Sequence, residues 1–196
     1  HCLTAQNLFY RRWECGVPTS PVCNANCLGC ISLQSSECCP SPQQRITFRP
    51  TPEEIAEVGI YHLSMAPDGI ISFGQGCEGE PSLAADCIAD GIRKIRAATT
   101  RGQINMNSNA GFPDGMKKIV DAGLDSLRVS MISARDISYS VYYRASYDLD
   151  AVKTSIRYAL AHDVYVSINL LYFPGFNDRT EELAAWQDFF HTLPVQ

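Results

Sequence analysis

The chain has 196 residues, 45% of them hydrophobic and 19% charged, the size and composition of one globular domain with a real core. A net charge of -5 and a pI near 5.3 argue against bulk attraction to nucleic acid or to an anionic membrane. There is no apolar run of about 18 residues and no charged start followed by an apolar block, so neither a membrane span nor a leader is expected.

In chain order, a first candidate strand lies around Cys15 to Ser20. The stretch PVCNANCLGC (Pro21 to Cys30) follows it, with Cys23, Cys27 and Cys30 spaced C-x3-C-x2-C. No fourth cysteine or histidine follows at comparable spacing. Residues 31–51 carry Ser, Gln and Pro with little periodicity, and loops that long are functional or disordered. Thr51, Pro52 and Glu54 then form a capping box for a helix over 51–66, with Ile55, Val58, His62 and Met65 at helical spacing. GIISF (69–73) reads as a strand and 83–98 as a helix with a basic last turn. QINMN (103–107) is a strand, and PDGMKKIVDAG (113–123) a helix stopped by Gly123. LDSLRVSM (124–131) is a strand, 148–162 a helix and VYVSINLLY (164–172) a strand. Asp178 with Glu181 is expected to cap a last helix carrying Leu183, Trp186, Phe189, Phe190 and Leu193. The clusters Arg93, Lys94, Arg96 and Lys117, Lys118 read as solvated helix faces.

Strands alternating with helices of this size predict βαβ units and a parallel sheet. Three strands are polar on one face: Gln103, Asn105 and Asn107; Ser126, Arg128 and Ser130; Ser167 and Asn169. A doubly wound sheet buries both faces and reads as continuous apolar runs. The one-sided polar lining therefore predicts an α/β fold of the partial (β/α) barrel type, with helices outside and a polar cavity inside. A sheet with one face in water is the alternative. Sites in such barrels lie at the C-terminal ends of the strands, where the cysteine stretch falls.

Nine cysteines could form a disulfide scaffold, but the count is odd and the chain exceeds the small domains that need staples. A reduced, cytoplasmic thiol set with part of it on metal fits better. Thiolates suit zinc or iron–sulfur clusters. A structural zinc site closes with four ligands, whereas three thiolates on one short loop can hold three irons of a cubane and leave the fourth open. Other features read as packing or surface. His1, His62, His162 and His191 are scattered; Cys77 and Cys87 read as packing residues; Tyr139, Tyr142 and Tyr143 read as bulk over the mouth. Arg128 and Arg144 are open between pocket and surface. Cys38 and Cys39 could join Cys2 or Cys15 on a second cluster or be plain loop thiols.

The motif Cys23, Cys27, Cys30 at the end of a first strand resembles the signature of the radical S-adenosyl-L-methionine (radical SAM) superfamily. Gly79-Glu80-Pro81 after GIISF resembles its glycine–glutamate–proline element, whose backbone holds the methionyl ammonium of SAM. Ser130 matches a serine facing the ribose or carboxylate. Asn169 and the PGFND run (Pro174 to Asp178) match the region near ribose and adenine. The resemblance spans nearly the whole chain and implies a 4Fe-4S cluster, SAM, a flavodoxin- or ferredoxin-like one-electron donor, and a substrate that the sequence does not identify. It also implies reductive cleavage of SAM to a 5′-deoxyadenosyl radical that abstracts hydrogen. Three departures stand out. Gly29 occupies a position that is commonly aromatic, which bears on shielding of the cluster. Glu78 replaces a glycine, which bears on the loop's conformation. Five strand–helix units are visible where six are usual, which implies a single core domain over 1–196, cut before its last unit. The competing readings are a zinc-binding structural or interaction module, with Cys38 or Cys39 as fourth ligand, and a simple iron–sulfur electron carrier.

Overall fold

The computed structural model describes residues 2–34 and 40–195; Cys38 and Cys39 lie outside the described residues. Five strands, β1 (Glu14–Gly16), β2 (Ile70–Phe73), β3 (Gln103–Ser108), β4 (Ser126–Met131) and β5 (Tyr165–Leu170), form one parallel sheet in the order of the chain. The helices are α1 (Leu3–Phe9), α2 (Pro52–Met65), α3 (Ala85–Ala98), α4 (Pro113–Asp121), α5 (Asp136–Tyr143), α6 (Leu149–Ala161) and α7 (Thr180–Thr192). Right-handed crossovers between strands whose order never reverses carry the connecting helices to one side of the sheet. The other face forms the inside of a partial (β/α) barrel.

Local chemistry sets the helix ends. Thr51 Oγ1 accepts from Glu54 N at 3.2 Å while Glu54 Oε2 accepts from Thr51 N at 2.7 Å, the expected capping box. Asp148 caps α6 through Ala151 N at 2.8 Å. Gly123, at φ +109°, takes the left-handed conformation that stops the chain after α4. The strand side chains that face the helices (Ile71, Phe73, Ile104, Met106, Leu127, Val129, Met131) are fully buried against α2, α3, α4 and α6. Full burial of each contributes about 1.5–3 kcal/mol.

The opposite face is polar, as the alternation predicts. Asn105 Nδ2 donates to Ser72 Oγ at 2.9 Å, and Ser126 Oγ donates to Asn105 Oδ1 at 2.9 Å, linking β2, β3 and β4. Among the described residues no helix is long and apolar enough to cross a membrane.

Three local expectations change. The first strand is shorter than Cys15 to Ser20, because Thr19 and Ser20 turn their N–H groups to a side chain rather than to a neighbouring strand. Helices α1 and α5 have no counterpart in the sequence reading. Asp178 does not cap α7; it accepts from Gly175 N at 2.7 Å and Tyr172 Oη at 3.1 Å, closing the turn before the helix.

Candidate metal and cofactor site

The cysteine loop begins where β1 ends, and one side chain fixes that junction. Glu78 Oε2 accepts from Thr19 N at 2.7 Å, Thr19 Oγ1 at 3.0 Å and Ser20 N at 2.9 Å. Its Oε1 accepts from Gly74 N at 2.7 Å and Gln75 N at 2.8 Å. Burial pushes the Glu78 pKa up, while these hydrogen bonds pull the other way. Four of the five partners are N–H groups, which only donate, so the arrangement serves the carboxylate. The glutamate at a glycine position thus ties the ends of β1 and β2 together.

The next two residues grip the cysteine loop by backbone. Gly79 N donates to Ser20 O at 2.7 Å and Glu80 N to Val22 O at 2.8 Å. A Cβ on residue 79 would stand 2.0 Å from Val22 O, so the contact requires glycine. The Glu80 carboxylate is buried, which raises its pKa, and accepts from Ser108 Oγ at 2.6 Å, Asn109 N at 2.8 Å and Ser82 N at 3.0 Å. Its side chain therefore joins β2 to the end of β3.

The cysteines sit between pinned neighbours. Asn24 Oδ1 accepts from Asn109 Nδ2 at 2.8 Å, and Asn24 O from Ser146 N at 3.0 Å. Asn26 N donates to Tyr143 O at 2.9 Å and Leu28 N to Tyr142 O at 3.0 Å, so the end of α5 straps the loop. A Cβ on residue 29 would lie 2.8 Å from the Tyr142 hydroxyl. Tyr142, buried, brings an aromatic ring from α5 against Gly29 and into the cavity lining.

One cavity of about 290 Å³ is lined by Cys23, Cys27, Cys30, Gly79, Glu80, Pro81, Ser130 and Asn169, eight of the residues singled out in the sequence. Its volume is at the lower edge of small-molecule sites, about 300–1,000 Å³. Ser130 and Asn169 are register partners at the C-terminal ends of β4 and β5. Burial raises the pKa of Cys23 and pushes Cys27 up to about 12. Burial acts on Cys30 too, but hydrogen bonds from Ser32 and Leu33 and the Arg45 charge outweigh it and hold this thiol below its usual value.

Among the described residues, no three His, Cys, Asp or Glu side chains gather closely enough to share one ion. Three thiols spread around a cavity suit a 4Fe-4S cluster, whose irons occupy separate corners. The donor set fits that group.

Sequence reasoning missed Arg45, which comes from the long loop and lines the cavity, and the strap from α5. Arg128 is not in this cavity; it lies with Glu14, Gln103 and Asp125 in another at the opposite end of the strands. Arg144 is exposed at the end of α5. Pro174 to Asp178 also stay outside: Asn177 turns inward and donates to Ile132 O at 2.8 Å and Leu171 O at 2.7 Å. Cys77 lines a separate cavity with Cys2 and Cys15.

A parallel partial barrel with three thiols on the loop after its first strand defines a class of cofactor-bearing proteins. The radical SAM superfamily profile matches residues 17–186. The chain belongs to that superfamily, whose members use a 4Fe-4S cluster and SAM. No curated protein sequence matches the chain. Among solved structures it is similar to native anSMEcpe with bound AdoMet, at TM-score 0.68 and 14% identity over 92% of this chain and 49% of that one. A radical SAM methyltransferase from Sphaerobacter thermophilus gives TM-score 0.67 and 14% identity over 93% and 54%. Methylornithine synthase (PylB) gives TM-score 0.62 and 16% identity over 96% and 53%. The chain thus spans about half the length of the solved structures it resembles.

Proposed function

We propose that this chain is the SAM-cleaving core of a radical SAM enzyme, with Cys23, Cys27 and Cys30 as the ligands of its 4Fe-4S cluster. When bound, the reduced cluster and SAM supply an electron and a 5′-deoxyadenosyl radical for hydrogen abstraction from a substrate. The residues of the chain hold, orient and exclude water. Three thiols leave one iron free for an outside ligand. The Gly79-Glu80-Pro81 backbone lies beside them for the amino end of SAM, its own conformation fixed by the buried Glu78 and Glu80 carboxylates. Ser130 and Asn169 offer hydrogen bonds for the ribose and carboxylate side. Tyr142 and Tyr143 keep water from the cysteine loop. The electron comes from a flavodoxin- or ferredoxin-like donor in the cytoplasm.

The observation that carries the reading is the meeting of the three cysteines with Gly79, Glu80, Pro81, Ser130 and Asn169 in one cavity. The test is iron and sulfide content after anaerobic reconstitution. Replacing any one of the three cysteines by alanine is expected to remove the brown chromophore, whereas the double replacement of Cys38 and Cys39 leaves it intact. Equal loss in the double variant would defeat the open-iron assignment.

A further inference from the structure

The three cysteines do not share the same surroundings. Among the described residues, Cys30 is the one of the three whose sulfur lies within hydrogen-bond reach of a cationic side chain: Arg45 Nη2 stands 3.7 Å from Cys30 Sγ. The guanidinium is held there in turn. Arg45 Nη2 and Nε donate to Ser32 Oγ at 3.0 and 3.1 Å, which fixes the plane of the fork. Ser32 Oγ has a single proton. It lies 3.0 Å from Glu78 O and 3.6 Å from Cys30 Sγ, and the shorter contact to the carbonyl takes the proton. Arg45 is left as the cationic donor to sulfur, beside the backbone N–H groups of Ser32 and Leu33. Both ends of this relay are anchored. Glu78 is locked by its five hydrogen bonds, and the segment carrying Arg45 is pinned by Ile46 N, which donates to Cys77 O at 2.8 Å.

We propose that Arg45, positioned by Ser32, donates to the Cys30 sulfur when it ligates the cluster and thereby raises the cluster's reduction potential. The inference rests on the radical SAM reading. One-electron reduction adds a negative charge to the cluster, spread onto its thiolate sulfurs. A cation and a hydrogen bond at one sulfur stabilise that reduced form more than the oxidised form. The electron comes from the one-electron donor, and no bond is made or broken by Arg45. Arg45 is a positioning residue in this account, acting through Cys30.

The test is a potentiometric titration of the anaerobically reconstituted chain, followed by the EPR signal of the reduced cluster. Arg45→Met is expected to move the midpoint to more negative potential by about tenfold in the reduction equilibrium, or roughly 59 mV for one electron. Arg45→Lys keeps the charge and is expected to move it less. Ser32→Ala frees the guanidinium and is expected to fall between them, with iron and sulfide unchanged throughout. A merely structural role leaves the potential of the correctly loaded protein where it was. An unchanged or more positive midpoint in fully loaded Arg45→Met overturns the proposal. The same midpoint with weakened SAM binding, read as loss of the SAM-induced change in the EPR signal, also overturns it and assigns Arg45 to SAM. If Arg45→Met fails to load a cluster, Arg45→Lys and Ser32→Ala decide by the same criterion. Failure of the unaltered chain to form any cluster refutes the radical SAM reading itself, a distinct result.

Discussion

The two ends of the cavity are built by different means. At the β2 end, two buried carboxylates collect donors that loops otherwise leave unsatisfied: five on Glu78 and three on Glu80. At the β5 end one buried amide, Asn177, braces the turn with three hydrogen bonds, and Asn169 to Phe173 stay exposed. An ionised acceptor with several backbone donors makes stronger bonds than an amide does. The difference teaches that this fold ties its cysteine loop and glycine element with buried carboxylates, and leaves the far wall more exposed and braced by a neutral amide. Segments with few buried contacts open locally at low cost.

The contrast predicts unequal losses on cutting each brace. Glu78→Ala leaves five donors at the ends of β1 and β2 without their acceptor, and is expected to destabilise by on the order of 4 kcal/mol. Asn177→Ala removes a neutral brace from a more exposed turn and is expected to cost about 2 kcal/mol. Urea unfolding of both variants checks the order. A larger loss in Asn177→Ala would reverse the picture of a stiff β2 end and a soft β5 end.

The sequence carried the outline of this arrangement unevenly. The capping box at Thr51 and Glu54, the five strands and the polar inner face are local or periodic signals, and each survives folding. The eight residues that line the cavity meet there because a spaced motif and a short element lie at strand ends, which the topology gathers. What escaped notice depends on distant partners. Helix α5, DISYSVYY, is rich in residues of low helical propensity, and forms because Tyr139, Tyr142 and Tyr143 are buried. Arg45 meets Cys30 from 15 residues away, through a loop without periodicity. Glu78 reads in sequence as a departure from a glycine pattern; only the fold reveals the five donors around it.

A second asymmetry concerns acid. Beyond β5, α7 is held to the first turn of α5 and the segment before it by Glu182, which is fully buried and accepts from Ser133 Oγ and Ser138 Oγ, both at 2.5 Å, and from Arg135 Nη1 at 3.2 Å. Burial opposes the charged form, but these partners prevail and hold the Glu182 pKa below its usual value. A folded pKa below the unfolded one, about 4.3, gives stability that is present above that pH and is lost as pH falls through the folded value. The expected contribution is about 1 kcal/mol. Denaturant midpoints across acid pH should therefore fall more steeply below about pH 4 in the unaltered chain than in Glu182→Gln. Parallel slopes would show that Glu182 keeps its unfolded affinity for protons.

The smallest effect on folding is expected where the largest effect on binding lies. Asn169 is exposed at the end of β5, and Ser130 beside it is half-buried. Neither belongs to the braces on Glu78, Glu80 or Asn177. Asn169→Ala and Ser130→Ala should each change unfolding stability by less than about 0.5 kcal/mol, as surface substitutions do. If these groups meet SAM across the soft wall, a bound ligand buries them and each loss leaves its partner unsatisfied. SAM affinity of the cluster-loaded protein should then weaken by about 1–3 kcal/mol per substitution, with iron content unchanged. Titration of SAM against the EPR signal of the reduced cluster measures this directly. Undiminished affinity in both variants would remove Ser130 and Asn169 from the site and leave binding to the braced β2 end alone.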